Sequence, residues 1–203
     1  MLPNDSPARV HPSSVVSDDA NLGAGTRVWV DCQIRERARI GCECILGKGV
    51  YVDADVTIGS RVKIQNYVSV FRGVTIEDGV FVGPHACFNN DLRPRAINVD
   101  GSLKGMDDWT VSKTLVCYGA SIGANSTILS GLRIGRWSMV GAGSVVTRSI
   151  PDFGLVVGNP ATVVGFVCSC GAKIHDPFHL ECDCLTSDDR GRLRELWEKY
   201  PTR

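Results

Sequence analysis

The stretch Ile58–Gly83, IGSRVKIQNYVSVFRGVTIEDGVFVG, places an aliphatic residue at every sixth position: Ile58, Ile64, Val70, Ile76 and Val82. Six matches neither the helical period of about 3.6 nor the strand period of two. The same phase runs back through Val52, Leu46, Ile40, Ile34, Val28, Leu22 and Val16 to Val10, and forward to Phe88. After a break it resumes at Val116 and continues through Ile122, Ile128, Ile134, Val140 and Val146. Two residues before each, small or β-branched types recur, among them Cys32, Ala38, Cys44, Val50, Val62, Ala120 and Ser138. Glycine often follows directly, as at Gly23, Gly41, Gly59, Gly83 and Gly123. A short strand plus a sharp corner takes about six residues, so hexads of this kind read as a parallel β-helix. Strand side chains alternate, so the bulky residue and the one two before it both point inward. Glycine is expected at the corner, where it tolerates positive φ and close chain approach. With three strands per coil, residues eighteen apart become vertical neighbours at roughly 4.8 Å.

Composition sets limits on partners. The chain has 203 residues, enough for one sizeable domain with a small appendage. Its 22 basic residues balance 22 acidic ones, which gives no electrostatic case for nucleic acid or an anionic membrane. No apolar run reaches the length of a membrane span, and the start MLPNDSPARVHPSS lacks a signal-peptide core. A cytoplasmic protein is therefore expected. Cys32, Cys42, Cys44, Cys87 and Cys117 are scattered through the hexads and are expected to be small apolar fillers.

The hexads, and above all the segment VGAGSVVTRSIPDFGLVVGNPATVVG at Val140–Gly165, resemble the left-handed β-helix acyltransferases. That resemblance, not the spacing, implies the left hand, acetyl-CoA as cosubstrate and a homotrimer with clefts between subunits. The expected fold is all-β: a left-handed parallel β-helix over residues 1–166 with a loop excursion at 89–115. A Cys-rich segment and a C-terminal α-helix are expected over 167–203. A narrower resemblance lies in KIQNYVSV, GPHACFNNDLRPRA and KTLVCYGASIGANSTIL. These are similar to the branch that N-acetylates nucleotide-linked 3-amino sugars, UDP- or dTDP-linked, for surface polysaccharides such as O-antigen. FNND replaces the FTN frequent in that branch.

The break, Asn89–Leu115, is too long for a plain corner and is expected to be functional. Asp91 can orient hydroxyls or an amine, and Arg93 and Arg95 can pair with phosphate or carboxylate. Eighteen-residue stacking puts His85 above Tyr67, and Asn89 and Asn90 above Phe71 and Arg72 on the next corner. Asn66, His85 and Asn90 are therefore the candidate catalytic group, with Tyr67 and Arg72 as further substrate contacts. Histidine suits a general base at neutral pH, but His85 could equally be only an orienting donor. Small residues Ala124, Ser126, Gly141 and Ala142 would let a pantetheine arm approach the last coils. Arg133, Arg136 and Arg148 are candidates for its phosphates. The resemblance implies that Asn159 and Pro160 of GNPA close the site near the adenine.

In the tail, Cys168, Cys170, Cys182 and Cys184 form two C-x-C pairs that could bind a structural zinc. TSDDRGRLRELWEKY then reads as a helix, with Thr186 and Asp189 in a capping box. Leu193, Leu196, Trp197 and Tyr200 would share its apolar face. A β-helix alone does not fix function. A sugar or small-alcohol O-acetyltransferase, a γ-class carbonic anhydrase and a non-catalytic trimeric scaffold are the alternatives. The second needs three converging histidines, and only His11 and His85 lie in the hexads.

Overall fold

The structure, a computed structural model, describes residues 6–178 and 183–200. The hexads wind into a parallel β-helix of triangular section with three faces. Strands of mostly two residues stack along each face, and vertical partners are eighteen residues apart, as in Lys63↔Ile45 and Ile64↔Leu46. One face begins at Arg9–Val10 and ends, through Met139–Val140, in the closing strands of the chain. The second runs from Val15–Val16 to Val145–Val146, and the third from Asn21–Leu22 to Arg133–Ile134. The edge joining the first face to the second is called the first edge below. That joining second to third is the second edge, and the return is the third edge.

The in-phase residues form the core. Every one from Val28 to Val146 is buried, and most are fully so. The residues two before them fill the remaining space, including Thr26, Ser126, Ser138 and Ser144, which are also buried. On the amino-terminal coil the in-phase Val10 is 40% exposed, and Val16 and Leu22 are half-buried. Cys32 and Cys44 are core fillers as expected; their thiols meet the carbonyl oxygens of Gly47 and Gly59 at 3.0 and 3.1 Å. Burial pushes the thiols of Cys32, Cys44, Cys87 and Cys117 up from their ordinary range.

Of the two roles expected of the glycines after the bulky residues, close approach is found there and positive φ is not. Positive φ falls three residues after the bulky position, and mostly on residues with side chains: Asp31, Arg37, Glu43, Asp55, Arg61, Tyr67 and His85 lie between 57° and 62°. The glycine directly after the bulky residue serves close approach instead. A Cβ on Gly23 would lie 2.5 Å from the backbone of Gly41 in the coil above, and one on Gly123 2.5 Å from the Ala142 nitrogen. The corner that bends the chain and the contact that stacks it are thus separate positions.

The excursion leaves after Cys87–Phe88 and returns at Thr114–Val116, on the second edge. Its neck is closed by the Ser112 N–H donating to the Asn90 carbonyl and the Thr114 N–H donating to that of Gly73. Register survives: Val74 pairs with Thr114 and Val82 with Ile122.

Beyond the last coil, Gly154–Gly158 pairs parallel to Met139–Val140, then antiparallel to Ala161–Val167, which pairs with Lys173–Ile174. The expected division after residue 166 falls inside Ala161–Val167, a strand that contributes to both cores. Helix α1 (Ser187–Lys199) follows, with the expected Thr186–Asp189 capping box. Leu193 is buried, and Leu196, Trp197 and Tyr200 pack with it against Phe153 and Phe166.

Candidate active site

The first edge gathers more of the expected site than any other part of the fold. Its successive corners are Gly47–Gly49, Gln65–Tyr67, Gly83–His85, Ala124–Asn125 with Gly123, and Gly141–Gly143. The order follows from the backbone bonds Tyr67 N–H to Lys48, His85 N–H to Asn66, Asn125 N–H to Pro84 and Gly143 N–H to Ala124. The hairpin turn Gly158–Ala161 continues the column, because Val156 pairs with Val140 and the Gly158 N–H donates to the Ser144 hydroxyl. Asn66, Tyr67, His85, Ala124, Gly141, Ala142, Asn159 and Pro160 therefore share one edge.

Tyr67 and His85 hold left-handed corner conformations and their rings stack, with centroids 5.1 Å apart and planes 23° from parallel. Tyr67 lies across Gly49, where a Cβ would be 2.6 Å from its ring. Both rings are exposed at the surface. Asn66 accepts the Lys48 N–H on its side-chain oxygen at 2.9 Å. Ser60 and Asp78 make the same downward bond on the third edge, at Cys42 and Ser60. The carboxamide oxygen of Asn66 is thus committed to the corner below. A cavity of about 220 Å³ opens beside it, walled by Trp29, Ile45, Gly47, Lys48 and Gln65. Above His85 the edge is built of small residues, Ala124, Gly141, Ala142 and Gly143, two coils or roughly 10 Å in height. Ser126 does not belong to that wall. Its side chain is fully buried and donates to the Gly141 carbonyl, so it is a core residue.

The second edge carries the rest of the expected substrate group. Asn90 is half-buried at the neck of the excursion. Arg72 is tied into a ladder of charge, 3.0 Å from Asp55, which also pairs with Arg37 at 2.7 Å. The Arg37 guanidinium holds the Asp55 carboxyl below its ordinary range. Asp91 accepts the Arg93 N–H at 2.7 Å, a local turn. Arg93 and Arg95 are exposed. The excursion folds as a small hairpin, with Ile97 bridged to Leu103 and the Lys104 N–H bonded to the Ala96 carbonyl. Leu92, Ile97, Leu103 and Met106 on it are 54–80% exposed.

Within one chain the first and second edges lie at opposite ends of a face, so Asn90 and His85 do not converge. Of the arginines expected at the coenzyme, Arg136 is on the third edge over the Tyr118 ring, 6.0 Å from its centroid, and Arg148 is exposed on the second. His11 lies on the first edge four coils below the level of His85, about 19 Å, too far to share a metal ion with it in one chain.

Near the carboxyl end, the sulfur atoms of Cys168, Cys170 and Cys184 lie within 4.8 Å of one another. Cys182, expected as a fourth ligand, lies outside the described residues. One link was not foreseen. Asp152 is buried, with only 1% of its side chain exposed, yet it pairs with Arg133 and with Arg192 of α1, each at 2.9 Å. It also accepts the Arg136 N–H. Arg133, a phosphate candidate by sequence, is thereby engaged.

The family described as bacterial transferase hexapeptide (six repeats) matches residues 37–72, and that of the hexapeptide repeat of succinyl-transferase matches 119–148. The chain thus carries hexapeptide repeats over these two segments. Over 62 residues this hexapeptide-repeat chain is 60% identical to dTDP-3-amino-3,6-dideoxy-alpha-D-galactopyranose 3-N-acetyltransferase of Aneurinibacillus thermoaerophilus, covering 30% of this chain and 32% of that one. It is 30% identical to the bifunctional protein GlmU of Thermotoga maritima, over 76% of this chain and 37% of that one. A crystal structure of a mutant GDP-perosamine N-acetyl transferase from Caulobacter crescentus, in complex with CoA and GDP-perosamine, superposes with a TM-score of 0.53 at 25% identity. That match covers 79% of this hexapeptide-repeat chain and 58% of the other. The matches thus span about a third of these curated relatives' lengths.

Proposed function

We propose that the protein is an acetyltransferase that moves the acetyl group of acetyl-CoA to the 3-amino group of a UDP- or dTDP-linked sugar. It works in the cytoplasm, supplies surface polysaccharide such as O-antigen, assembles as a homotrimer and carries a structural zinc. The observation that carries this reading is the first edge. A column of small residues there leads down to the stacked Tyr67–His85 pair, with a cavity beside Asn66 below. The relatives named above include an N-acetyltransferase of a dTDP-linked 3-amino sugar and one bound to CoA with a nucleotide sugar.

The chemistry fits those residues. The pantetheine arm lies along Ala124, Gly141 and Ala142, so the thioester arrives near the level of His85. The neutral sugar amine attacks the thioester carbonyl, the C–N bond forms, the C–S bond breaks, and the amine proton ends on the departing thiolate. His85 and Tyr67 orient the sugar. Orientation of two bound reactants supplies about 7–11 kcal/mol, more than the 10²–10⁴-fold of a general base. His85→Ala at saturating substrates should therefore lower kcat by less than tenfold while raising KM for the sugar. A loss beyond about a thousandfold in kcat alone would make His85 the base instead.

A second copy completes the site. Asn90 and the excursion stand one face away from His85 in their own chain, and the apolar side chains of the excursion are exposed. In a trimer they pack on a neighbour and bring Asn90 to its first edge. The test is thiol release from acetyl-CoA with UDP- and dTDP-linked 3-amino and 4-amino sugars, alongside the mass in solution. Turnover with a 3-amino sugar by a trimer is expected. Release only with a hydroxyl acceptor would favour the O-acetyltransferase. Full activity in a monomer would overturn the shared site.

A further inference from the structure

The two ends of the β-helix are built differently. At the amino-terminal end Val10 is 40% exposed and Val16 and Leu22 are half-buried, but at the other end Val140, Val146, Ile150 and Val156 are all at most 3% exposed. Their cover is the carboxyl-terminal cap. Ala161 and Val163 pack on the main core, and Phe153, Phe166, Cys168, Ile174, Leu185 and Leu193 form a second small core behind them. Six buried side chains are few for a unit of this size, and small units of this kind usually need a cross-link. Between residue 167 and α1 the described regular structure is the two-residue strand Lys173–Ile174.

The thiols lie where such a cross-link would act. Cys168-Ser169-Cys170-Gly171 makes a tight turn, with the Gly171 N–H donating to the Cys168 carbonyl and the Cys168 N–H to that of Ala172, both at 2.8 Å. Gly171 has φ +88°. The Ser169 hydroxyl donates to the Cys184 carbonyl at 2.9 Å, which brings the chain just before α1 onto this turn. All three sulfurs then lie within 4.8 Å of one another. A disulfide needs two sulfurs, and a third within the same 4.8 Å has no part in one. Zinc–thiolate bonds of about 2.3 Å place the sulfurs of a tetrahedral site about 3.8 Å apart, a spacing that fits inside the 4.8 Å that bounds these three. Soft thiolates in such a set favour zinc.

We propose that Cys168, Cys170 and Cys184 hold the zinc ion as thiolates, and that it staples the cap across the end of the β-helix. Cys168 ties the metal to the small core, Cys170 continues the turn, and Cys184 anchors the approach to α1. The staple rests on the reading of these thiols as a zinc site, but does not depend on acetyl transfer.

The test uses the full chain, purified under reducing conditions from zinc-supplied cells. Metal analysis should find about one zinc per chain. Replacing zinc by cobalt should give thiolate-to-cobalt charge-transfer absorption. Cys170 and Cys184 are exposed, so the double variant Cys170→Ser, Cys184→Ser should fold and lose both signals. A metal-free wild type, a Cys170–Cys184 disulfide, iron with labile sulfide, or full zinc retention in the double variant would overturn the site. Chelation of the wild type should lower Tm by at least about 5 °C and open the chain between 168 and 186 to protease. Zinc that leaves with Tm and proteolysis unchanged would overturn the staple while leaving the metal site standing.

Discussion

Ile64→Asp is expected to yield no soluble folded protein. Ile64 is fully buried, stacked between Leu46 below and Val82 above in the middle of the first face. The substitution forfeits about 1.5–3 kcal/mol of apolar burial. It also puts a carboxyl group where the vertical neighbours are both aliphatic, at a further cost of several kcal/mol whether the group ionises or stays protonated. The sum rivals the whole stability of an ordinary domain, about 5–15 kcal/mol. Lys63→Asp is the control. It lies on the same strand but faces out, and should change stability by no more than about 0.5 kcal/mol. Soluble yield and thermal melting of the pair decide the matter. A cooperative Ile64→Asp transition within a few degrees of wild type would show that the sixth positions do not carry the core.

Asp152→Ala is expected to lower stability by about 3 kcal/mol and to release α1. The carboxylate is buried and joins three elements: Arg133 in the last strand of the third face, the Arg136 backbone at the third edge, and Arg192 in the helix. Hydrogen bonds to a charged group are worth about 1.5–3 kcal/mol each. The arginine heads are about half exposed, and water recovers part of that loss. For a chain of this length the change corresponds to about 6–12 °C in Tm. Asp152→Asn keeps an acceptor for the Arg136 N–H and should show a smaller fall. Limited proteolysis reports the helix directly. An Asp152→Ala protein that melts within about a degree of wild type, with α1 still protected, would make the double ion pair ornamental.

The sequence carried the coil because one rule repeats. Each inward residue is set by the same six-residue geometry, and misplacing one would misplace those after it. The stack of His85 on Tyr67 was legible for that reason, as was the adjoining corner of Asn90. The capping box at Thr186 was legible because its partners are three residues apart. The glycine positions were read correctly, and of their two expected roles close approach holds directly after the bulky residue while positive φ falls elsewhere. Spacing reveals which residue lacks a side chain, but not whether a neighbouring coil or a bend excludes one. Ser126 fits the outer wall by its small size alone, but it stands at an inward position and is buried. The Asp152 linkage had no local signal. Its partners Arg133 and Arg192 are nineteen residues before it and forty after, and the second belongs to a segment outside the repeat. Handedness left no trace in the spacing at all.

Strands on either side of the excursion are forty residues apart where vertical partners in the coils below and in the hexads above it are eighteen apart. The neck at Asn90–Ser112 and Gly73–Thr114 is what isolates the excursion from the coils. A corner of this spool is therefore a socket. Segments of other length or composition could be grafted there without recutting the scaffold.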